Sequence, residues 1–438
     1  MPLSSLQRGL VLFSLCFSGS AIYGLPYRFP SQFRPMIIDA FGISNTQMGM
    51  VMSVLGVVAL LGYFPGGVLA DRYSARSLII LSLVSTALGG FYFTTLPGFI
   101  PLACLWGYWG LTTCMLFWGA LIRSTREWGG PFAQGQAFGI LEAGRGLMAA
   151  FTAEITLMIY QWTADSSNMD GTTHGLRSVI LVYAVMPLIA AVMVWWLLPG
   201  PSHPPISHKK TDSGSAQAIS PRSHTFEWSQ LSQVLRMPII WVQAIIVISA
   251  YSVYRGSDNY SLFAVDAYQM SAIEGARVTG VFFWIRPLAA VTAGLLVDYI
   301  RPSRFIFWNF LILFCCHICL GWLVPEPNRA WMLWLQIIPT STAIFALRGI
   351  YFTLVEESAV PLHITGTAVG LISLIGFAPD IFVPPITGWL IDRNPGTAGH
   401  QHVFMLLTVI TLVGLVASVL FGLFQNANPS KKHRFYKS

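Results

Sequence analysis

Charge is scarce in this sequence. Only 10% of its 438 residues are Asp, Glu, Lys or Arg, against about one quarter in soluble globular chains. A shell that thin excludes a water-soluble enzyme. Cysteine is also sparse, and the six present (Cys16, Cys104, Cys114, Cys315, Cys316, Cys319) all fall inside apolar blocks, where neither a disulfide framework nor a zinc knuckle is expected. The Cys316-x-x-Cys319 spacing beside His317 reads as helix packing, and no metal is expected. None of the five lysines follows a glycine, so a phosphate-binding loop of the G-x-x-x-x-G-K type is missing and no nucleotide cofactor is implied. Neither HExxH nor GxSxG occurs, and no enzymatic activity is expected. The net charge of +7 is scattered among loops, which argues against a nucleic-acid partner. The first apolar block, Leu10 to Leu25, has only Arg8 before it and no small-residue cleavage pattern after it, so it is expected to stay attached.

Apolar side chains are abundant, at 54%, and mean hydropathy is +0.62. They form about a dozen blocks, each long enough to cross roughly 30 Å of hydrocarbon as a helix. Spans are expected at 9–30, 46–70, 77–97, 101–123, 136–160, 176–198, 239–262, 276–298, 304–324, 331–354, 365–391 and 401–424. A β-barrel would instead show alternating segments of about ten residues. The fold class is therefore an all-α membrane protein with twelve transmembrane helices in the lipid bilayer. With the N-terminus inside, fifteen Lys and Arg fall in cytoplasmic segments and three in outer loops (Arg34, Arg329, Arg393), which sets both termini in the cytoplasm of a bacterial inner membrane. Residues 199–236, rich in Pro, Ser, His and Lys, read as a flexible cytoplasmic linker between a six-helix half at 1–198 and a second half with a tail at 237–438. A monomer is expected.

The two halves share a register. An offset of 227 carries Gly67 onto Gly294, Asp71 onto Asp298, and the dipeptide Tyr27-Arg28 onto Tyr254-Arg255; further along it becomes 231, where Gly135–Gly139 falls on Gly366–Gly370. Related repeats of this kind are expected of transporters whose site lies between the halves near the midplane. The twelve spans, the central linker and Gly67-x-x-x-Asp71-Arg72-x-x-x-Arg76, with a degenerate copy at Gly294, Asp298, Arg301 and Arg304, resemble the major facilitator superfamily. The arginines of spans 1 and 7 further resemble the organophosphate:phosphate antiporter family and its bacterial relatives. The chain departs from that pattern at Phe29, where a lysine often follows the first arginine, and in having no lysine in span 2 and no histidine in span 5.

Five arginines lie within spans: Arg28, Arg145, Arg255, Arg286 and Arg348. Each would cost about 2.5–3.5 kcal/mol facing lipid, so they are expected to line the interior. Arg28 and Arg255, one from each half, are expected to face each other across a central cavity and to hold a small anion in their fixed forks of donors. Tyr27 and Tyr254 point elsewhere on their helices, to pack or to gate. Glu142 and Arg145, three apart, read as an ion pair or as a proton carrier beside its arginine. Asp258 is placed to hold Arg255. Asp380, in GFAPDIF, is either a salt bridge with Arg348 or Arg286 or a coupling site. Trp109, Trp118, Trp284 and Phe283 are candidate cavity walls. Gly67, Asp71, Arg72, Arg76, Asp298 and Arg304 read as the conformational switch at the cytoplasmic mouth. The function expected is secondary transport of a small organic or inorganic anion, by exchange or by proton symport. A membrane sensor that binds an anion without moving it is the alternative.

Overall fold

A computed structural model describes residues 5–129, 134–165, 171–198, 228–297, 299–327, 329–358, 360–361 and 364–426. Twelve long helical rods carry the chain: α1 (Leu6–Gln32), α2 (Asn45–Arg72), α3 (Ala75–Phe93), α4 (Phe99–Gly129), α5 (Gln134–Asp165), α6 (Gly171–Leu197), α7 (Pro238–Tyr268), α8 (Ala272–Val297), α9 (Pro302–Trp322), α10 (Ala330–Thr353), α11 (Thr365–Arg393) and α12 (Thr397–Asn426). Among the described residues there is no strand. Eleven rods are long and apolar enough to cross a membrane; the remaining one, α5, is 32 residues long and carries Glu142, Arg145 and Glu154 in its body. Side chains such as Leu61, Ile100, Met158, Trp196 and Leu335 stand exposed on the outer faces of the bundle, where hydrocarbon and not water suits them. The protein is an integral membrane protein. The expected linker at 199–236 lies mostly outside the described residues, but its last part is not flexible coil: Trp228–Leu235 is a helix.

Local sequence sets the helix ends. Ser44 and Gln47 form a reciprocal capping box at the start of α2, with Gln47 N donating to Ser44 Oγ at 3.1 Å. Ser271 and Glu274 cap α8 in the same way, and Pro238 and Pro302 occupy first-turn positions where a missing N–H costs nothing. Between α1 and α2 a short helix, Arg34–Phe41, stops at Gly42, whose φ of 58° is left-handed.

The packing repeats across the two halves. In the first, α3 packs on α6, α1 on α6 and α2 on α4; in the second, α9 packs on α12, α7 on α12 and α8 on α10. The halves meet along two seams, α2 against α11 and α5 against α8. Glycine makes the first seam close. A Cβ on Gly49 would fall 2.4 Å from the Pro384 carbonyl oxygen, and one on Gly388 would fall 2.2 Å from that of Asn45, so bare backbone is needed for the helices to touch.

Four rods are irregular near their middles. α1 contains a π segment at Gly24–Arg28 and α4 another at Leu111–Trp118; α7 tightens to a 3-10 turn at Ser257–Asn259. α11 breaks after Gly376 and restarts at Pro379. Such interruptions in a membrane span are tolerated where the backbone lines protein or water, and they mark functional positions.

Candidate functional site

The charged residues of the bundle interior collect on those irregular stretches. Arg28 ends the π segment of α1, Asp258 sits in the 3-10 turn of α7, and Asp380 stands in the first turn of the restarted α11. Around them lie Arg145 and Glu142 on α5, Arg286 on α8 and Arg348 on α10.

Arg255 is the most heavily paired. Its Nη1 lies 2.7 Å from Asp258 Oδ2 and its Nε lies 2.8 Å from Asp380 Oδ1. Tyr251, one turn earlier on α7, donates its hydroxyl to Asp380 at 3.1 Å. The other face of the guanidinium lies over the Tyr27 ring, with 5.5 Å between Cζ and the ring centroid. The Asp258 contact joins residues three apart on α7. The Asp380 contact differs from expectation, since its ion-pair partner is Arg255 and neither Arg348 nor Arg286.

Arg28 does not meet Arg255 as its mirror. Its Nη2 donates to the Ser20 carbonyl on its own helix, its Nε has no partner, and it is buried beside Tyr183 of α6. The π segment explains the change. A π turn holds one extra residue, so the helix face beyond it is rotated relative to plain α-helix; α7 stays α-helical through Gly256. The shared offset therefore places Tyr27, not Arg28, against the second half. Tyr254 does not point away either: it lies under Arg348, 3.7 Å from the guanidinium carbon to the ring centroid, with Tyr251 at 5.3 Å. Arg348 Nη1 is buried without a partner.

Glu142 bridges the halves. It pairs with Arg145 one turn along α5 and with Arg286 of α8 at 3.2 Å, and its side chain is 49% exposed, so the space between the halves reaches it. Arg145 also donates to the Gly19 carbonyl at 3.2 Å and covers Tyr23 and Trp118. Arg28, Arg145 and Arg348 all lie within electrostatic reach of Arg286. Glu154 accepts from Trp284 Nε1 at 3.3 Å. Trp118 and Trp284 thus adjoin the charged centre, whereas Trp109 is fully buried against Trp106 and Phe93. Phe283 is buried beside Phe282 in the core of the second half.

At the end of the bundle near Gly42 the halves are sealed. The Asp392 carboxylate of α11 accepts from Asn45 N, Asn45 Nδ2, Thr46 N and Thr46 Oγ1 at 2.5–3.1 Å, capping α2 from the opposite half. Ser261 Oγ donates to the Ser31 carbonyl at 2.9 Å, and Ser53 donates to the Ile381 carbonyl. Arg34, expected in an outer loop, is fully buried here with Nε and Nη2 unpartnered. At the opposite end Asp71 and Arg72 are exposed and Gly67 meets nothing within 4 Å of an added Cβ. Among the described residues Arg76 pairs with no acid; it donates to the Trp195 carbonyl of its own half. Arg123 covers the end of α2 instead, reaching the Ala70 carbonyl at 2.7 Å. Arg304 is exposed, and Asp298 lies outside the described residues.

Arg34, Asp392 and Tyr251 were not singled out from the sequence. Tyr251 carried a usable signal, four residues before Arg255 on one helix face; the other two depend on how distant helices meet.

A twelve-helix membrane bundle with charges gathered between its two halves has the architecture of a membrane transporter. The chain matches the model of the Major Facilitator Superfamily over residues 15–384 and belongs to that family. It is similar to the Inner membrane protein YihN of Escherichia coli, 27% identical and covering 93% of each chain, and to the Hexuronate transporter of Bacillus subtilis, 24% identical and covering 86% of this chain and 88% of the other. Among solved structures, a bacterial homolog of the human lysosomal transporter Spinster, in an inward-facing and occupied conformation, superposes with a TM-score of 0.73 at 16% identity, covering 98% of this chain and 99% of that one.

Proposed function

We propose that this protein is a secondary transporter that moves a small anion across a bacterial inner membrane by alternating access. The observation that carries the reading is the pair Arg28 and Arg348. Both lie within the bundle, each has a buried guanidinium nitrogen without a partner, and neither has a carboxylate within 4.0 Å among the described residues, unlike Arg145, Arg255 and Arg286. A buried cation without a counter-ion costs several kcal/mol, and a solute anion supplies the missing charge. Counting Arg34, which is fully buried at the sealed end, six interior arginines stand against four carboxylates, Glu142, Glu154, Asp258 and Asp380, an excess of positive charge that suits an anion.

Tyr27 and Tyr254 act as aromatic shelves that hold Arg255 and Arg348 in place. Arg255 belongs to the same site but is occupied by carboxylates in this state. With both termini in the cytoplasm, the sealed end near Asp392 faces outward and the Asp71 end lies at the cytoplasmic side. The bilayer and a small anion are then the partners, and movement draws on a gradient, since the sequence offers no nucleotide-binding loop. A hexuronate carries one carboxylate on a neutral sugar body and fits both the charge excess and the name of one relative.

The test is counterflow in proteoliposomes. Labelled D-glucuronate is expected to accumulate when unlabelled glucuronate is loaded inside, and D-glucose and choline to be ignored. Nitrate competing where glucuronate does not would move the substrate to inorganic anions, and transport of choline in preference to every anion would overturn the reading.

A further inference from the structure

We propose that Asp380 is the proton-coupling group of this carrier: its carboxylate occupies Arg255 while no solute is bound, and uptake of a proton releases that guanidinium to the solute anion. This rests on the anion-transport reading above and adds the source of its driving force.

The geometry supplies the argument. One guanidinium lies between two carboxylates, Asp258 at 2.7 Å and Asp380 at 2.8 Å, and all three side chains are at least nine-tenths buried. Together they carry one net negative charge, which repels an anion from the second half of the site. A proton on Asp380 leaves the neutral pair Arg255–Asp258, and the repulsion vanishes. Proton and anion therefore favour each other's binding, and the coupling is reciprocal. The step forms one O–H bond on Asp380 as one O–H bond of a hydronium ion breaks and water is left; the proton returns to water when the opposite end opens.

Asp380, and not Asp258, is the group free to do this. Asp258 is fixed to Arg255 through the same turn of α7 and moves with it. Asp380 arrives from another helix, at the point where α11 breaks at Phe377 and Ala378 and restarts. Its backbone also rests on α2, where a Cβ on Gly56 would meet it at 2.7 Å. Rocking of α2 against α11 thus acts directly on the residue that holds Arg255. The other charged or titratable groups facing it are Tyr251 on α7, whose hydroxyl donates to both carboxylate oxygens, Arg348 on α10, and Tyr23 and Tyr27 of α1, Tyr63 of α2 and Cys114 of α4 within electrostatic reach. Arg34 acts on Asp258, on the sealed side.

The decisive experiment needs no solute. Infrared difference spectra of the purified full-length protein are recorded between about pH 5 and pH 9, the interval in which documented buried carboxyl groups titrate. A carboxylic-acid C=O band is expected to grow as pH falls, to be lost in Asp380→Asn, and to persist in Asp258→Asn. Should Asp380→Asn fail to fold, Tyr251→Phe must shift the band, because it removes the hydroxyl that bonds this carboxylate. A band that never forms, that survives Asp380→Asn, that disappears in Asp258→Asn, or that is unmoved by Tyr251→Phe overturns the proposal. Counterflow of glucuronate in wild type alongside a missing band would retain the transporter and remove its proton coupling, so the two readings fail separately.

Discussion

Arg28 and Arg255 occupy corresponding places in two copies of one half, yet their surroundings have diverged. Arg255 lies between two carboxylates and over a tyrosine of the other half; Arg28 has a backbone carbonyl and a bare Nε. The duplication supplied two cations, and the added acids of the second half spent one of them on internal pairing. Among the five span arginines, what remains uncompensated is asymmetric: Arg28 in the first half and Arg348, a residue on another helix, in the second. The lesson is that repeat symmetry locates a site in this fold but does not say which of its charges are free.

Mutations that treat the two arginines alike sharpen the contrast. Arg255→Ala leaves Asp258 and Asp380 buried without their cation, and a broken buried pair costs about 3–5 kcal/mol. It is expected to give the largest loss of thermal stability in detergent, recovered in part when Asp380→Asn is added; an Arg255→Ala protein as stable as wild type would dissolve the distinction. Arg28→Ala and Arg348→Ala remove cations that have no carboxylate, so unfolding should stay near wild type. Affinity for a carboxylate probe should instead fall about 10- to 100-fold, the equivalent of about 1.5–3 kcal/mol for a hydrogen bond to a charged group, as read by equilibrium binding of labelled glucuronate.

The sealed end and the Asp71 end offer the next comparison. Asp392→Asn keeps the shape of the cap on α2 but removes its charge, worth about 0.3–1 kcal/mol at a helix N-terminus. Spin labels on the two halves near this end are expected to show an increased fraction of separated distances, and an unchanged distribution would mean the α2–α11 glycine seam alone keeps it shut. The smallest expected effect is at the Asp71 end. Asp71 is exposed and meets no partner among the described residues, so Asp71→Asn should slow turnover with little change in binding; a pure affinity defect would contradict its place in the switch.

Much of this architecture was legible in the residues because it depends on length, apolarity and short-range spacing. Span number, the two halves and the i,i+3 pairs Glu142–Arg145 and Arg255–Asp258 all belong to that kind. The contact of Asp380 with Arg255 was not legible, since the partners lie on different helices and either of two other arginines was as plausible from sequence. Tyr27 took the place expected of Arg28 because Gly24–Arg28 winds as a π segment, and a one-residue change of winding turns a different side chain to the interior. Arg34 was assigned to water as a loop residue; the short helix that carries it folds back between the halves, which hydropathy does not report.

The measurement that bears most directly on the uncompensated pair is calorimetric titration of the purified protein with D-glucuronate and with D-glucose, in wild type, Arg28→Ala and Arg348→Ala. Binding of glucuronate alone by wild type, weakened in both variants, is the predicted result. Equal affinity for the charged and the neutral sugar, or glucuronate affinity untouched by removing either guanidinium, would contradict the account.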